Sequence, residues 1–334
     1  MRKIKIAQIG ISNWGHGSQV FGSLSKQKDI FDIAGYVLPE NEREKFPELI
    51  KHFDGYKELT LDEALNNPEI EAVAVECEEI NLTKYATLAA QHNKHIHMEK
   101  PGGTSLEDFE KMIQEVKNGG KVFHTGYMYR YNPYVKQIMN EIKSGELGEI
   151  ISVEAQMSCN QIAEVRRWLG GFKGGMMFWL GCHLVDLVLQ IKGVPDKVTA
   201  YNRSTGLDGI AGEDYGMAIF EYKNGVSFIK TNAMEIGGFN RRQLVITGSK
   251  KTIEVKPFEV WEGDGQYSAV TEYTDLNWNS FGTKARTENY DRYDEMMSSF
   301  AAMVRGEKDN PWSLDYELLL YKHILLACGV EVDI

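Results

Sequence analysis

The chain is predicted to fold as a doubly wound parallel α/β sheet followed by an α+β unit built on a largely antiparallel sheet. Three observations predict it. From Lys3 to Gly126 strand-like and helix-like stretches alternate. A glycine turn, Gly10 to Gly15, stands between the first strand and the first helix. Beyond Gly126, short turns join consecutive strand patterns. Strands separated by helix-length segments require right-handed crossovers and pair in parallel, whereas strands joined by two or three residues fold back antiparallel.

In order along the chain, Lys3 to Ile9 is a strand, Ser18 to Gln27 a helix, Ile30 to Leu38 a strand and Glu42 to Phe53 a helix. Ile70 to Glu76 is a strand, Thr83 to His92 a helix ending near Asn93, and His95 to Met98 a strand. Ser105 followed by Asp108 has the spacing of a capped helix start, and Gly119-Gly120 stops that helix. Lys121 to Gly126 is the last strand of this part. Pro133 to Ser144 is helical and Glu149 to Ser158 alternates as a strand does. Lys197 to Arg203, Asp214 to Tyr222, Val226 to Ala233, Gln243 to Thr247 and Thr252 to Val255 follow, with Lys223-Asn224-Gly225 and Gly248-Ser249-Lys250 as turns. A helix runs from about Leu314 to Ala327. The boundary is placed at residue 125, giving domains 1–125 and 126–334.

At 334 residues, about two domains of ~150 residues are expected. With 48 acidic against 37 basic side chains, a net charge of −11 and no long basic cluster, nucleic acid is not an expected partner. Cys77, Cys159, Cys182 and Cys328 form no close pair, so neither a disulfide framework nor a zinc knuckle is indicated. A strand directly after Met1-Arg2-Lys3, and no apolar run of membrane-spanning length, lead to the expectation of a cytoplasmic protein without membrane partners.

Two segments carry the chemistry. Glu99-Lys100-Pro101 closes the His95 to Met98 strand, and ligands of open parallel sheets bind beyond the carboxyl ends of strands. In Gly174 to Asp186, Leu180, Leu184, Leu187, Val188 and Ile191 recur at helical spacing. His183 and Asp186 then share a face, where a carboxylate one turn away holds an imidazole in its tautomer. His183 is suited to be a general base near neutrality and Lys100 to be a cation at the site, and a buried Lys100 can itself be a base. The turn Gly10, Ser12, Gly15 keeps the outer glycines of GxGxxG and replaces the middle one, and the following helix start is suited to phosphate. Arg166, Arg167 and Trp168 are read as a loop with two alternatives, a Trp that stacks on a sugar with an Arg that binds hydroxyls or a carboxylate, or a domain-interface salt bridge with a packed Trp. His95 and His97 alternate onto one strand face without further ligands at useful spacing, so no metal is expected.

With these residues in hand, the chain resembles the glucose-fructose oxidoreductase and inositol dehydrogenase (Gfo/Idh/MocA) family over nearly its whole length. The likeness rests on the glycine turn, Glu99-Lys100-Pro101, the run Gly126 to Pro133, the Gly174 to Asp186 segment and the late helix after Pro311. The resemblance implies a Rossmann domain binding NAD, with NADP possible. It also implies a second domain that binds substrate and mediates homodimers or homotetramers through its sheet, and hydride exchange with a sugar, polyol or related hydroxyl compound. By motif position it implies Lys100 and His183 as catalytic. Gly10, Ser12, Asn13, Trp14, Gly15, Leu38, Glu40, Cys77, Glu78, Glu99, Lys100 and Arg130 fall at the cofactor, and Tyr127, Arg166, Arg167, Trp168, Trp179 and His183 at the substrate.

The sequence departs from the family pattern in three places. Trp179 stands where an Asp usually precedes the helix His by four residues, Leu38 where an acidic residue usually closes the second strand, and Cys77-Glu78-Glu79 where a Thr-Pro-Asn-like turn is usual. Glu40 is the nearest acidic side chain after the second strand. Trp179 keeps two alternatives open: an enzyme using transient oxidation by tightly held NAD to cleave or eliminate a glycosidic bond, and a non-catalytic sensor of dinucleotide or sugar.

Overall fold

The computed structural model describes residues 2–263 and 265–333. Two compact units divide the chain, one containing residues up to Met128 with Tyr293–Tyr321, the other Tyr129–Arg292 with the residues from Lys322 onward. The sequence assigns everything after residue 125 to a second domain. In the structure the segment Tyr293–Tyr321 returns to the first unit.

In the first unit, strands β1 (Ile4–Ile9), β2 (Phe31–Val37), β3 (Ala72–Val75), β4 (His95–Met98) and β5 (Phe123–Thr125) form one parallel sheet in the order β2-β1-β3-β4-β5. All four residues of β3 are buried, as are five of six in β1. Such strands read as continuous apolar runs because helices cover both faces of a parallel sheet. The order reverses between β1 and β3, so the crevice of this unit lies at their carboxyl ends. Helix α1 (Gly17–Lys26) follows β1. The predicted helix Glu42 to Phe53 is two pieces, α2 (Glu42–Lys45) and a 3-10 segment Pro47–Phe53. Pro47 cannot donate into a continuing helix, and the break follows.

Helix α3 (Leu61–Asn66), absent from the sequence expectations, starts on a capping box in which Thr60 and Glu63 bond each other's backbone N–H. Helix α4 spans Leu82–Gln91 and α5 Leu106–Gly119, the latter capped by Ser105 accepting from the Asp108 N–H at 3.2 Å.

In the second unit, α6 (Pro133–Ser144) begins at Asn132, whose side chain accepts from the N–H groups of Tyr134 and Val135. Strand β6 (Ile150–Ser158), helix α7 (Ala163–Leu169) and helix α8 (Cys182–Lys192) precede β7 (Lys197–Ala200), β8 (Tyr215–Tyr222), β9 (Gly225–Asn232), β10 (Gln243–Gly248) and β11 (Thr252–Val255). Strands β12 (Val260–Glu262) and β13 (Gly265–Tyr267) form a separate hairpin. Strands β14 (Ala269–Tyr273) and β15 (Thr283–Arg286) extend the main sheet to the order β15-β14-β11-β10-β6-β9-β8-β7. All its pairings are antiparallel except β6 with β9. Helix α8 lies against β6 and β9.

Helices α9 (Asp294–Val304) and α10 (Leu314–Ala327) end the chain. The first unit is tied to them by Ser23 donating to Asp294 at 2.7 Å, Asn310 donating to the Phe123 carbonyl at 2.7 Å and Thr125 donating to Glu317 at 2.8 Å. Among the described residues no helix is long and apolar enough to cross a membrane.

Candidate active site

The crevice of the first unit is built on Gly10. Its φ is +90°, a conformation that side chains other than glycine's rarely adopt, and a Cβ there would lie 2.5 Å from the Cys77 Cα. The chain therefore crosses the end of β3 in contact with it. The Ser12 N–H donates to the Glu76 carbonyl at 3.0 Å, and the Ser12 hydroxyl accepts from the Gly15 N–H at 3.1 Å, leaving its own proton to donate. Asn13, Trp14 and Gly15 are half-buried and lead into the start of α1.

The carboxylates expected around this turn are placed differently from the sequence reading. Glu40 is held by Lys84 and by the Tyr85 hydroxyl, which donates at 2.8 Å, so it faces α4 rather than the turn. The acid that reaches the turn is Glu42, fully buried, whose Oε2 accepts from the Ile11 N–H at 2.8 Å. Burial pushes its carboxyl up to about 7. Leu38 packs on the cluster of Ile11, Phe21, Tyr36 and Phe53. Cys77 is buried beneath Gly10 and burial pushes its thiol up, so it serves packing. Glu78 is half-buried and paired with Lys45 at 2.6 Å.

Glu79, which the sequence reading leaves unassigned, is buried with neither oxygen bonded to a side chain among the described residues. Burial raises it to about 7 although Lys100 opposes this. A positive-φ turn at a helix start, with buried carboxyl oxygens of Glu42 and Glu79 left for hydroxyl donors, fits a dinucleotide's phosphates and ribose.

Lys100 is fully buried at the end of β4, with Nζ 3.7 Å from Glu99 Oε1. Glu99 Oε1 also lies 2.9 Å from His16 Nδ1. Beside them His97 Nε2 is 3.3 Å from Glu76, and His97 Nδ1 is 2.8 Å from His124 Nδ1. Burial raises the Glu76 carboxyl well above its ordinary value and lowers His97 to about 4. His95 accepts from the Val122 N–H at 3.0 Å, a structural role. Tyr127 is buried at the end of the β5 segment.

In the second unit a five-residue π-helix, Met177–Gly181, runs into α8, whose first turn carries His183; such bulges occur often at functional sites. His183 is buried edge-on against the Tyr129 ring, centroids 4.9 Å apart at 82°. Tyr129 is fixed in turn by donating to Glu259 at 2.7 Å, and Glu259 accepts from Arg242 at 2.6 Å and from Arg292 Nε at 2.8 Å. Sequence reasoning missed this support because its members are scattered from 129 to 292.

Asp186 shares the His183 face as expected, but its carboxylate is clasped by Arg130, Nε to Oδ2 at 2.9 Å and Nη2 to Oδ1 at 2.8 Å, and it also accepts from Gln190 at 2.8 Å. A buried guanidinium needs such a bidentate partner. Arg130 is thus bound to α8 through Asp186.

Arg166, Arg167 and Trp168 lie on helix α7, not on a loop. Arg166 is 2 % exposed, paired with Asp208 and 3.7 Å from Asp214. Arg167 is exposed and lines an open cavity of about 360 Å³ with Gly170 and Gly209 to Gly212. Trp168 and Trp179, distant in sequence, meet edge to face at 5.7 Å and 84°. Both are half-buried. No cluster able to hold a metal occurs among the described residues.

Residues 4–127 match the model of the oxidoreductase family with an NAD-binding Rossmann fold, and residues 135–254 match that of the GFO/IDH/MocA C-terminal domain. The chain belongs to the Gfo/Idh/MocA oxidoreductases. It is 26% identical to scyllo-inositol 2-dehydrogenase (NADP(+)) of Bacillus subtilis over 60% of this chain and 55% of that one. It is 24% identical to myo-inositol 2-dehydrogenase of Thermotoga maritima over 74% of each. With the first curated relatives, the match spans about half of their length. The levoglucosan dehydrogenase structure with NADH and levoglucosan shares the fold at a TM-score of 0.78 and 18% identity, over 98% of both chains. For this Gfo/Idh/MocA chain that likeness establishes architecture, since function resides in the site.

Proposed function

We propose that this Gfo/Idh/MocA oxidoreductase exchanges hydride between NAD and a carbon-bound hydroxyl of a sugar or polyol. The observation that carries the reading is a fully buried lysine at the carboxyl end of β4, in the same parallel sheet whose β1 ends in the Gly10 turn. Names of relatives that act on inositols and levoglucosan support the substrate class.

Bound NAD supplies the hydride acceptor. The Gly10 to Gly15 turn and the start of α1 hold phosphate, and Glu42 and Glu79 accept ribose hydroxyls. Lys100 takes the hydroxyl proton or steadies the alkoxide. His183 is assigned as the second acid/base group, its ring set by Tyr129 and the Glu259 cluster. Both assignments rest on each residue's surroundings within its own unit. Half-buried apolar side chains alternating along the sheet, Met217, Ile219, Phe228 and Val245 among them, support assembly as a homo-oligomer through this surface. The test of the activity is mass spectrometry of the purified protein for bound dinucleotide, then a polyol and sugar panel read by NADH absorbance. No absorbance change with any member, in either direction, contradicts the reading.

Cofactor choice follows from the turn. Glu42 places a carboxyl group there, while Arg43 is paired with Glu58, Lys45 with Glu78 and Lys84 with Glu40, a setting that disfavours a 2′-phosphate. NAD is expected to bind about tenfold or more tightly than NADP, a difference of ~1.4 kcal/mol by calorimetry. Tighter binding of NADP contradicts this.

Trp179 is assigned to the substrate, where it offers an apolar face and an indole N–H to a sugar ring. Trp179→Ala is expected to weaken substrate binding by ~1 to 3 kcal/mol, from the area an aromatic buries, with dinucleotide binding unchanged. Trp179→Asp is expected not to raise turnover, because a carboxylate beside the Trp168 ring lacks a partner. A substantial rate gain in that variant contradicts the assignment.

A further inference from the structure

We propose that Glu99 and His16 form a proton conduit between Lys100 and solvent, a reading that rests on Lys100 being the group that takes the substrate proton. Oxidising an alcohol releases one proton per turnover, and a buried lysine that accepts it must discharge before the next cycle. Lys100 and Glu99 are sealed, with side-chain exposures of 0% and 2%, whereas the His16 side chain is 18% exposed. One oxygen, Glu99 Oε1, lies 3.7 Å from Lys100 Nζ and 2.9 Å from His16 Nδ1. His16 stands at the start of α1 and its ring makes no capping bond to that helix.

The groups facing this line leave Glu99 as the ionised carrier. Glu76, at the end of β3, is raised well above the carboxylate range by burial, and Glu79, in the turn after it, to about 7. Burial also acts on Glu99, but His16, Lys100 and His97 together outweigh it and hold its carboxyl low. His97, on β4, is lowered to about 4 by burial and does not compete for a proton near neutrality. The Tyr293 ring also faces His16, at 5.7 Å.

The transfer balances without a further reactant. The Lys100 ammonium gives one proton to Glu99 Oε1, and the amine so formed takes the hydroxyl proton; Glu99 passes its proton to Nδ1 of His16 in the Nε2–H tautomer. His16 becomes an imidazolium, releases its Nε2 proton to water and regains the Nε2–H form by exchange of its exposed ring with solvent. Glu99 ends as a carboxylate and Lys100 as an ammonium. Reduction runs the same steps backwards. His16 and Glu99 act through Lys100 and are positioning residues.

The test has two arms on the full chain. In ¹⁵N-histidine NMR without cofactor, the His16 Nδ1 resonance is expected to move in Glu99→Gln, which replaces the carboxylate bonded to that nitrogen, and in Lys100→Met, which changes the charge beside that carboxylate. Unmoved His16 resonances in both variants overturn the conduit. In kinetics on a substrate found by the panel, His16→Ala is expected to lower kcat about tenfold or more with dinucleotide KM unchanged, and imidazole in the buffer to restore much of it. His16→Gln serves if the alanine variant does not fold. Wild-type kcat from pH 6 to 9 in a folded His16 variant, or a loss that imidazole does not relieve, overturns the conduit. Retained turnover in Lys100→Ala overturns the underlying assignment of Lys100 instead, so the two failures are distinct.

Discussion

Lys100→Ala and His183→Ala are each expected to reduce turnover by ~100-fold or more while leaving the far-UV circular dichroism and dinucleotide affinity near those of the parent chain. The magnitude follows from what a positioned acid/base group or a charge stabiliser contributes to a transition state. Lys100 is fully buried beside Glu99, and removing the cation leaves Glu99 still bonded to His16, so the sheet end is expected to survive. His183 contacts Tyr129 through its ring edge, and Tyr129 remains tied to Glu259 without it. Near-parent rates in both variants on an identified substrate contradict the site assignment.

The second large effect concerns stability. Glu259 is fully buried and balances Arg242 and Arg292 while accepting the Tyr129 hydroxyl. Removing one member of a buried charged network leaves the others uncompensated, at a cost of ~3 to 5 kcal/mol. Glu259→Ala is expected to lose stability of that order in urea denaturation at pH 7. The pH dependence has a definite sign. Burial pushes the Glu259 carboxyl up, but Arg292 and Arg242 with the Tyr129 bond outweigh it, so the folded value lies below the unfolded one. Its contribution is therefore present above the unfolded carboxyl value, ~4.3, and is lost as pH falls through the folded value. Glu259→Gln should show a shallower loss of stability between pH 5 and acid than the parent chain. A loss in Glu259→Ala below ~0.5 kcal/mol, the range of ordinary surface changes, contradicts the network's role.

The parallel sheet was legible because its strands are apolar runs bounded by turn residues, and helix starts such as Ser105 and Asn132-Pro133 follow local capping rules. Lys100 was legible for the same reason, as a charge at the end of a short buried strand. What was hidden depended on long-range partners. Nothing local distinguishes Glu40, drawn to Lys84 and Tyr85, from Glu42, which turns inward to the Ile11 N–H. Nothing local to Arg166 and Arg130 announces their carboxylate partners Asp208, Asp214 and Asp186. The return of Tyr293–Tyr321 to the first unit depends on bonds such as Asn310 to Phe123 and Thr125 to Glu317, nearly two hundred residues apart in sequence. Strands β12 to β15 were missed because their short, polar stretches carry little alternation.

The most direct test of the central claim is isotope transfer. The chain is incubated with NAD and sugars or polyols deuterated at their hydroxyl-bearing carbons, and the recovered dinucleotide is weighed by mass spectrometry. Deuterium on the reduced nicotinamide, absent with Lys100→Ala, is the result predicted. Unlabelled dinucleotide across the whole panel, from protein shown to bind NAD, would contradict hydride transfer from a carbohydrate-like alcohol.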